Sequence, residues 1–338
     1  MTQAAELAGY ASNLQMFRNK IINGNFDVWQ RGTNISISNS TNMYTADRWR
    51  FAGDAFTGFI NRQQFTPGQT DVPGEPNYFF RWAVNTNPSG NMAFGQYIED
   101  VRTLAGRTAT LSLYLYASAT IPANTLQIRY RQVTGGTGGT NNTINIGEIT
   151  TSWKKFTFQL NIPSLTGATL GASNASYLAL EILSPSTHTS AFDMFIAQVQ
   201  LEEGTSATPF EHRPIGMELS LCQRYYQKLL YKQYWGNSGF GRIRQDTGRP
   251  HIMITLLQEM RDTPNDITLP PIGQSSGNIT FLVNEGYPGT HGSLQNTNAT
   301  PNTVEFQFDG FSSLGSQNQV SWAYVTGGPV AFRFGAEL

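Results

Sequence analysis

The residue types in this sequence that could do chemistry include clusters of aromatic rings beside amides, carboxylates and guanidinium groups, a combination that could hold a sugar as readily as it could fill a core. Saccharide recognition needs flat apolar faces for the C–H side of a pyranose ring, and amides, carboxylates or guanidinium groups for its hydroxyls. Tyr44, Asp47, Arg48 and Trp49 supply these within one short stretch, with Trp29 and Trp82 as further aromatic faces. A plainer use competes: Trp49 and Trp82 lie inside strand patterns, where core packing explains them, and Asp47 with Arg48 makes a structural ion pair. A second group, Tyr234, Trp235, Phe240, Tyr287, His291, Trp322 and Tyr324, is spread through the last third of the chain. Tyr287 and His291 fall in GYPGTHG, a loop pattern, and recognition concentrates in loops at one end of a β scaffold.

Catalytic patterns are scarce. The sequence has no G-x-S-x-G elbow and no H-E-x-x-H. A glycosidase needs only two carboxylates, but Glu99–Asp100 and Glu202–Glu203 are neighbours, and neighbours on a strand point to opposite faces. The four histidines, at 188, 212, 251 and 291, share no zinc-ligand spacing. A non-enzyme is expected, with no cofactor.

These residues must be positioned by strands. IINGNFDVWQRG, YTADRWRF, YFFRWAV, TATLSLYLYAS, TLQIRYRQV, KKFTFQLNI, YLALEIL and MFIAQVQLEE are short runs rich in β-branched and aromatic residues, separated by Gly, Pro, Asn and Ser. In TLSLYLYA, Leu111, Leu113 and Leu115 face one way, and Ser112, Tyr114 and Tyr116 the other. Eight or nine such runs predict a jelly-roll β-sandwich over 21–213. TGGTGGTNNT, from Thr134 to Thr143, lacks a Lys and opens no helix, so it reads as a flexible turn and not a phosphate cradle.

Helical rhythm occurs twice. Ile215, Leu219, Cys222, Tyr226 and Leu229 recur at spacings of four, three, four and three, after a Pro214 suited to a first helical turn. This predicts a connecting helix over 214–232, followed by a smaller β domain over 233–338. Leu7, Tyr10, Leu14, Phe17 and Ile21 predict a short N-terminal helix within 1–20. Each helix has two uses: docking on its own domain, or bundling with copies of itself.

Composition narrows the partners. Of 338 residues only 13% are charged, against a typical ~25%, so the surface must be built from Asn, Thr, Ser, Gln and Gly. With 22 basic and 23 acidic side chains, the field that draws a protein to nucleic acid is missing. The one cysteine, Cys222, forms no intrachain disulfide. No apolar run approaches the ~20 residues that cross a bilayer, and the N-terminus lacks signal-peptide features; no membrane insertion and synthesis in a cytoplasm are expected. The Asn-X-Ser/Thr matches at Asn34, Asn141, Asn174, Asn278 and Asn298 read as turns.

Taken in order, IINGNFDVWQRG, YTADRWRF, FGQYIEDVRTLAGRTATLSLYLYA, WKKFTFQLNIP, FIAQVQLEEGTSATPFEHRPIGMELSLCQRYYQK and VAFRFGAEL resemble bacteriophage tail-fibre and receptor-binding proteins, most strongly over 20–232. The first β unit is similar to carbohydrate-binding-module jelly rolls. The resemblance implies a homotrimeric virion tail protein, assembled in the host bacterial cytoplasm and joined to other virion tail proteins through 1–20. Its tip, 233–338, would touch host surface polysaccharide or lipopolysaccharide. Leu7, Leu14, Ile215, Leu219, Cys222, Tyr226 and Leu229 would then line oligomer interfaces. Jelly rolls of this kind often carry a structural calcium between first and last strands, where Asn25, Asp27 and Asp193 would contribute ligands. Alternative readings are a purely structural virion component, such as a fibre shaft, neck or head decoration, and a polysaccharide-degrading tail enzyme.

Overall fold

A computed structural model describes residues 17–38, 41–53, 57–85, 90–172, 175–231, 242–244, 249–269, 278–283, 287–288, 293–309, 322–326 and 330–338. The expected N-terminal helix, with Leu7 and Leu14, lies outside them, as do Tyr234, Trp235 and His291. The chain divides into two compact units, Met1–Leu219 with Leu338, and Ser220–Glu337.

The first unit contains β1 (Asn34–Ser38), β2 (Thr41–Tyr44), β3 (Trp49–Gly53), β4 (Thr57–Gln64), β5 (Tyr78–Val84), β6 (Met92–Glu99) and β7 (Thr108–Ala117). It continues with β8 (Gln127–Val133), β9 (Gly135–Thr137), β10 (Thr140–Asn145), β11 (Lys154–Asn161), β12 (Thr169–Leu170), β13 (Tyr177–Ser184) and β14 (Phe192–Glu203). Two six-stranded antiparallel sheets form, ordered β1-β4-β5-β14-β7-β11 and β10-β8-β13-β6-β3-β2. From β6 to β8, and again from β11 to β14, the chain passes back and forth between the sheets, which makes the unit a jelly-roll sandwich. Alternation sets which side faces inward: Leu111, Leu113 and Leu115 are buried, and Tyr114 and Tyr116 lie on the other face of β7.

Aromatic rings fill the centre of this sandwich. Phe80 stacks on Phe94 with centroids 4.1 Å apart, and Phe94 on Trp49 at 4.9 Å. Burying each such side chain contributes roughly 1.5–3 kcal/mol. TGGTGGTNNT is more ordered than a flexible turn: it supplies β9, which pairs with β12, and the start of β10. Glycine is needed where the two segments touch, since a Cβ on Gly136 would meet the Thr169 carbonyl oxygen at 2.5 Å.

The helix α1 (Ile215–Gln223) is nine residues long and stops well short of the expected 214–232. Tyr226 and Leu229 belong instead to β15 (Tyr226–Tyr231), which pairs with the strand Val330–Gly335. The helical spacing was coincidental there: the run YQKLLY finds its backbone partners in a sheet, and Leu229 is buried while Leu230 is exposed. The rest of the second unit contains β16 (Arg242–Arg244), β17 (Arg249–Thr255), β18 (Asp266–Thr268), β19 (Asn278–Val283), β20 (Tyr287–Pro288), β21 (Ser293–Ala299), β22 (Thr303–Asp309), β23 (Trp322–Thr326) and β24 (Val330–Gly335). The sheet β15-β24-β18 packs on the sheet β16-β17-β22-β21 through Leu229, Ile254, Val304, Phe306, Phe332 and Phe334. A third sheet, β20-β19-β23, completes the described residues of this unit.

Candidate functional site

The sugar-type cluster read from the sequence is a structural knot inside the first unit. Asp47, Arg48 and Trp49 are almost fully buried. Asp47 accepts the Gln30 backbone N–H at 2.7 Å and pairs with Arg31 at 3.4 Å; Arg48 donates to the Tyr97 carbonyl; Trp49 Nε1 donates to the Asn23 carbonyl at 2.9 Å. Asn23, in the left-handed region at φ +57°, binds the Val28 and Asp47 carbonyls through its amide. These residues have no face to offer a sugar, because their polar atoms hold the chain that leads into β3. Trp29 and Trp82 are likewise buried. Tyr44 ends β2, half-buried, with the Arg31 guanidinium 5.2 Å from its ring centroid.

The calcium ligands do not meet. The Gly24 carbonyl accepts from Val199, six residues along β14 from Asp193 and so about 20 Å away. Asn25 donates to Asp27 at 3.1 Å, and Asp193 is engaged by Arg81. Among the described residues no three His, Cys, Asp or Glu side chains are grouped to hold a metal. In the second unit, Tyr287 stands in the short strand β20, opposite Val283, and not in a loop.

Arg213 and its neighbours explain the EHRPIGMELS motif. Glu211 accepts the Phe17 and Asn19 backbone N–H groups at 2.6 and 2.9 Å. Arg213 donates to the Asn19 and Ile21 carbonyls, and Glu218 accepts the Asn23 N–H. On the helix, Glu218 and Cys222 are buried, while Ile215 is exposed and Leu219 half-buried. Asp27 and Glu218 share a small polar recess with His212 and Arg213. Burial raises both carboxyl pKa values; their hydrogen bonds and the nearby cations oppose that only in part.

The surface that combines flat rings with polar groups lies elsewhere, on the outer face of the sheet containing β5, β14 and β7. Arg81, Phe195 and Tyr116 are directly opposite one another on these three strands. Phe195 stacks on Tyr116 at 4.7 Å, and Trp153 leans on Tyr116 at 5.6 Å and on Phe79 at 5.4 Å. Phe59 on β4 lies under the Arg81 guanidinium, 4.6 Å from it. All of these side chains are half-buried, and from Phe59 to Trp153 they cross roughly 19 Å of sheet. Phe65 and Val72, buried against Phe79 and Trp153, wall one side.

Arg81 is held by Asp193 through two bonds, Nε to Oδ1 at 2.9 Å and Nη2 to Oδ2 at 2.6 Å, which raises its pKa further. Asp193 also borders an open cleft of about 620 Å³ at the end of the same face. Its lining mixes hydroxyl groups of Ser118, Thr120, Thr125 and Ser190 with the apolar Ile121, Pro122 and Phe192. His188 stacks on Phe192 at 5.4 Å, bonds to the Ser184 hydroxyl at 2.9 Å, and has its pKa lowered by burial, which favours the neutral ring.

Phe59, Phe79, Arg81, Trp153 and Phe195 were not singled out from the sequence. The signal was present in YFFRWAV and MFIAQVQ, each of which places a phenylalanine, Phe79 or Phe195, on the face opposite its core residues, where a merely solvated face would be polar.

Fold and surface together define a jelly-roll β-sandwich with an aromatic platform on one sheet. No family model and no curated protein matches the sequence. Among solved structures, the chain is similar to TmCBM61 in complex with beta-1,4-galactotriose, with TM-score 0.32 and 12% identity over 55% of this chain and 99% of that one. A family 11 carbohydrate-binding module from Clostridium thermocellum gives TM-score 0.32 and 9% identity, over 52% and 98% of the respective chains. CBM4 gives TM-score 0.30 and 16% identity over 54% and 98%. Likenesses of this size assign neither ligand nor role.

Proposed function

We propose that this chain is a non-catalytic glycan-binding protein whose binding surface is the outer face of the β5, β14 and β7 sheet. The row Arg81, Phe195 and Tyr116, beside a cleft rimmed with hydroxyl groups, carries the reading. Rings fixed across adjacent strands give a sugar flat apolar contact at little entropic cost, and the Arg81–Asp193 pair offers hydrogen bonds to hydroxyls from a fixed position. Binding is favoured over chemistry because Asp193, the carboxylate at the platform among the described residues, is committed to Arg81.

We further infer, from the ordered series of motifs in 20–232, that the protein serves as an adhesin on a bacteriophage tail fibre. In this reading it is a homotrimer attached to other virion tail proteins, and several weak sites engage host polysaccharide or lipopolysaccharide together. The test is a pull-down of the purified chain on candidate host cells, with its mass measured by light scattering on the same sample. Cell binding that is lost in Phe195→Ala supports the glycan reading. A monomer, or binding indifferent to that change, counts against the trimer or the platform respectively.

A further inference from the structure

The opposite sheet carries a cluster that the aromatic platform does not use. On its outer face Arg50, Gly95, Glu181 and Arg129 stand directly opposite one another on β3, β6, β13 and β8, and Tyr97, Ala179 and Arg131 form the next row. Two guanidinium groups therefore hold one carboxylate, and a third, from Arg50, stands across Gly95 from it. Glu181, only 3% exposed, accepts from Arg129 Nε at 2.8 Å and from Arg131 Nε and Nη2 at 3.0 and 3.2 Å. Arg50 lies over the Tyr97 ring at 4.9 Å and donates to its hydroxyl at 2.5 Å. Tyr97 in turn stacks on Tyr177 at 4.3 Å.

Each guanidinium is thus pinned at one edge, and pinned cations lose little entropy when they meet a ligand. The terminal nitrogens of Arg129 have no acceptor among the described residues, and Arg131 has one terminal nitrogen in the same state. Small residues at Gly95 and Ala179 keep the middle of the face low, so the long side chains stand around a trough. The floor requires glycine, since a Cβ on Gly95 would come 2.7 Å from Glu181 Cγ. Among the described strand residues the remaining charge on this face is Glu99, opposite Tyr177 at its far end. Positive charge is in excess.

We propose that this face binds an oxyanion carried on a saccharide, the carboxylate of an acidic polysaccharide, at a site separate from the aromatic platform. Arginine's planar fork matches a carboxylate, and three cations on a face where Glu181 engages only two of them leave positive charge for a second anion. A nucleic acid fits less well: the positive charge is confined to one trough, and a phosphate chain needs a longer basic track.

The full-length protein is run in native gels containing polygalacturonate, neutral galactan or no polymer. Retardation by polygalacturonate, weakened by salt and by added inorganic phosphate, is expected. Arg50→Gln and Arg129→Gln each should reduce that retardation about tenfold in apparent affinity, with Arg50→Lys intermediate. Melting temperatures within a few degrees of the unchanged protein confirm that the variants are folded. Phe195→Ala should leave polygalacturonate binding intact while affecting neutral polymers, so that failure of one site is distinguishable from failure of the other. Unaltered mobility in polygalacturonate, or retardation of both arginine variants equal to that of the unchanged protein, overturns the proposal; tighter binding to a single-stranded oligonucleotide than to polygalacturonate overturns the saccharide assignment.

Discussion

Arg81 on β5 and Asp193 on β14 are joined by a bidentate ion pair, with Nη2 2.6 Å from Oδ2, at the point where the aromatic row meets the cleft. Both side chains retain about a quarter of their exposure, so the pair contributes only about 1 kcal/mol to stability. Its larger effect is to fix a guanidinium beside Phe195. Asp193→Ala should therefore leave the melting temperature within a few degrees of the unchanged protein, while weakening retention on neutral polysaccharide about tenfold. A large loss of stability with unchanged retention would mean that the pair is purely architectural.

The row itself is tested by Phe195→Ala, Tyr116→Ala and Trp153→Ala. Each removes a half-buried ring from the outside of the sheet and none from the core. Retention in gels carrying neutral polysaccharide should fall five- to fiftyfold for each, with circular dichroism unchanged. Retention equal to that of the unchanged protein in all three would remove the platform from the account.

Stability of the core is a separate matter. Phe94 is fully buried and touches Phe26, Trp49, Phe80 and Trp82. Phe94→Ala should cost about 3–5 kcal/mol in denaturant unfolding. A cost below about 1 kcal/mol would show that the sandwich repacks around the gap.

Glu218 gives a pH-dependent signature. Burial raises its pKa, as it does that of Asp27 in the same recess. A carboxyl whose folded pKa lies above its unfolded one binds more protons folded than unfolded between the two values. Its contribution to stability therefore falls as pH rises through that window, just above the ordinary carboxylate range, and is recovered on acidification. Glu218→Gln removes this dependence, so the stability of the unchanged protein relative to the variant should improve between pH 7 and pH 4.5. Urea midpoints that move in parallel for the two proteins would rule this out.

The Cys222 thiol has no exposed surface and lies on the buried side of α1. Ellman's reagent should label it no faster than the helix opens, and fully in denaturant. Rapid labelling of the folded protein would mean that α1 is detached in solution.

Much of the architecture was legible in the sequence. The two-residue alternation of TLSLYLYA assigned Leu111, Leu113 and Leu115 to the inside, because a strand side chain has only two sides to choose from. Clusters of Gly, Pro and Asn marked where strands stop. The spacing from Ile215 to Leu229 misled for an opposite reason: a period of 3.6 over so few residues is also met by a short helix followed by a strand, and only the partner strand β24 decided for the latter.

Composition and alternation, which are local, thus determined the β class of this protein, its low charge and the inward face of its strands. The tertiary structure alone decided the rest, because register sets which residues become neighbours. Asp47, Arg48 and Trp49 have the chemistry of a sugar site but were drawn into the interior by hydrogen bonds to Gln30, Tyr97 and Asn23. Arg81, Tyr116 and Phe195 are distant in sequence and became one row only when β5, β14 and β7 paired.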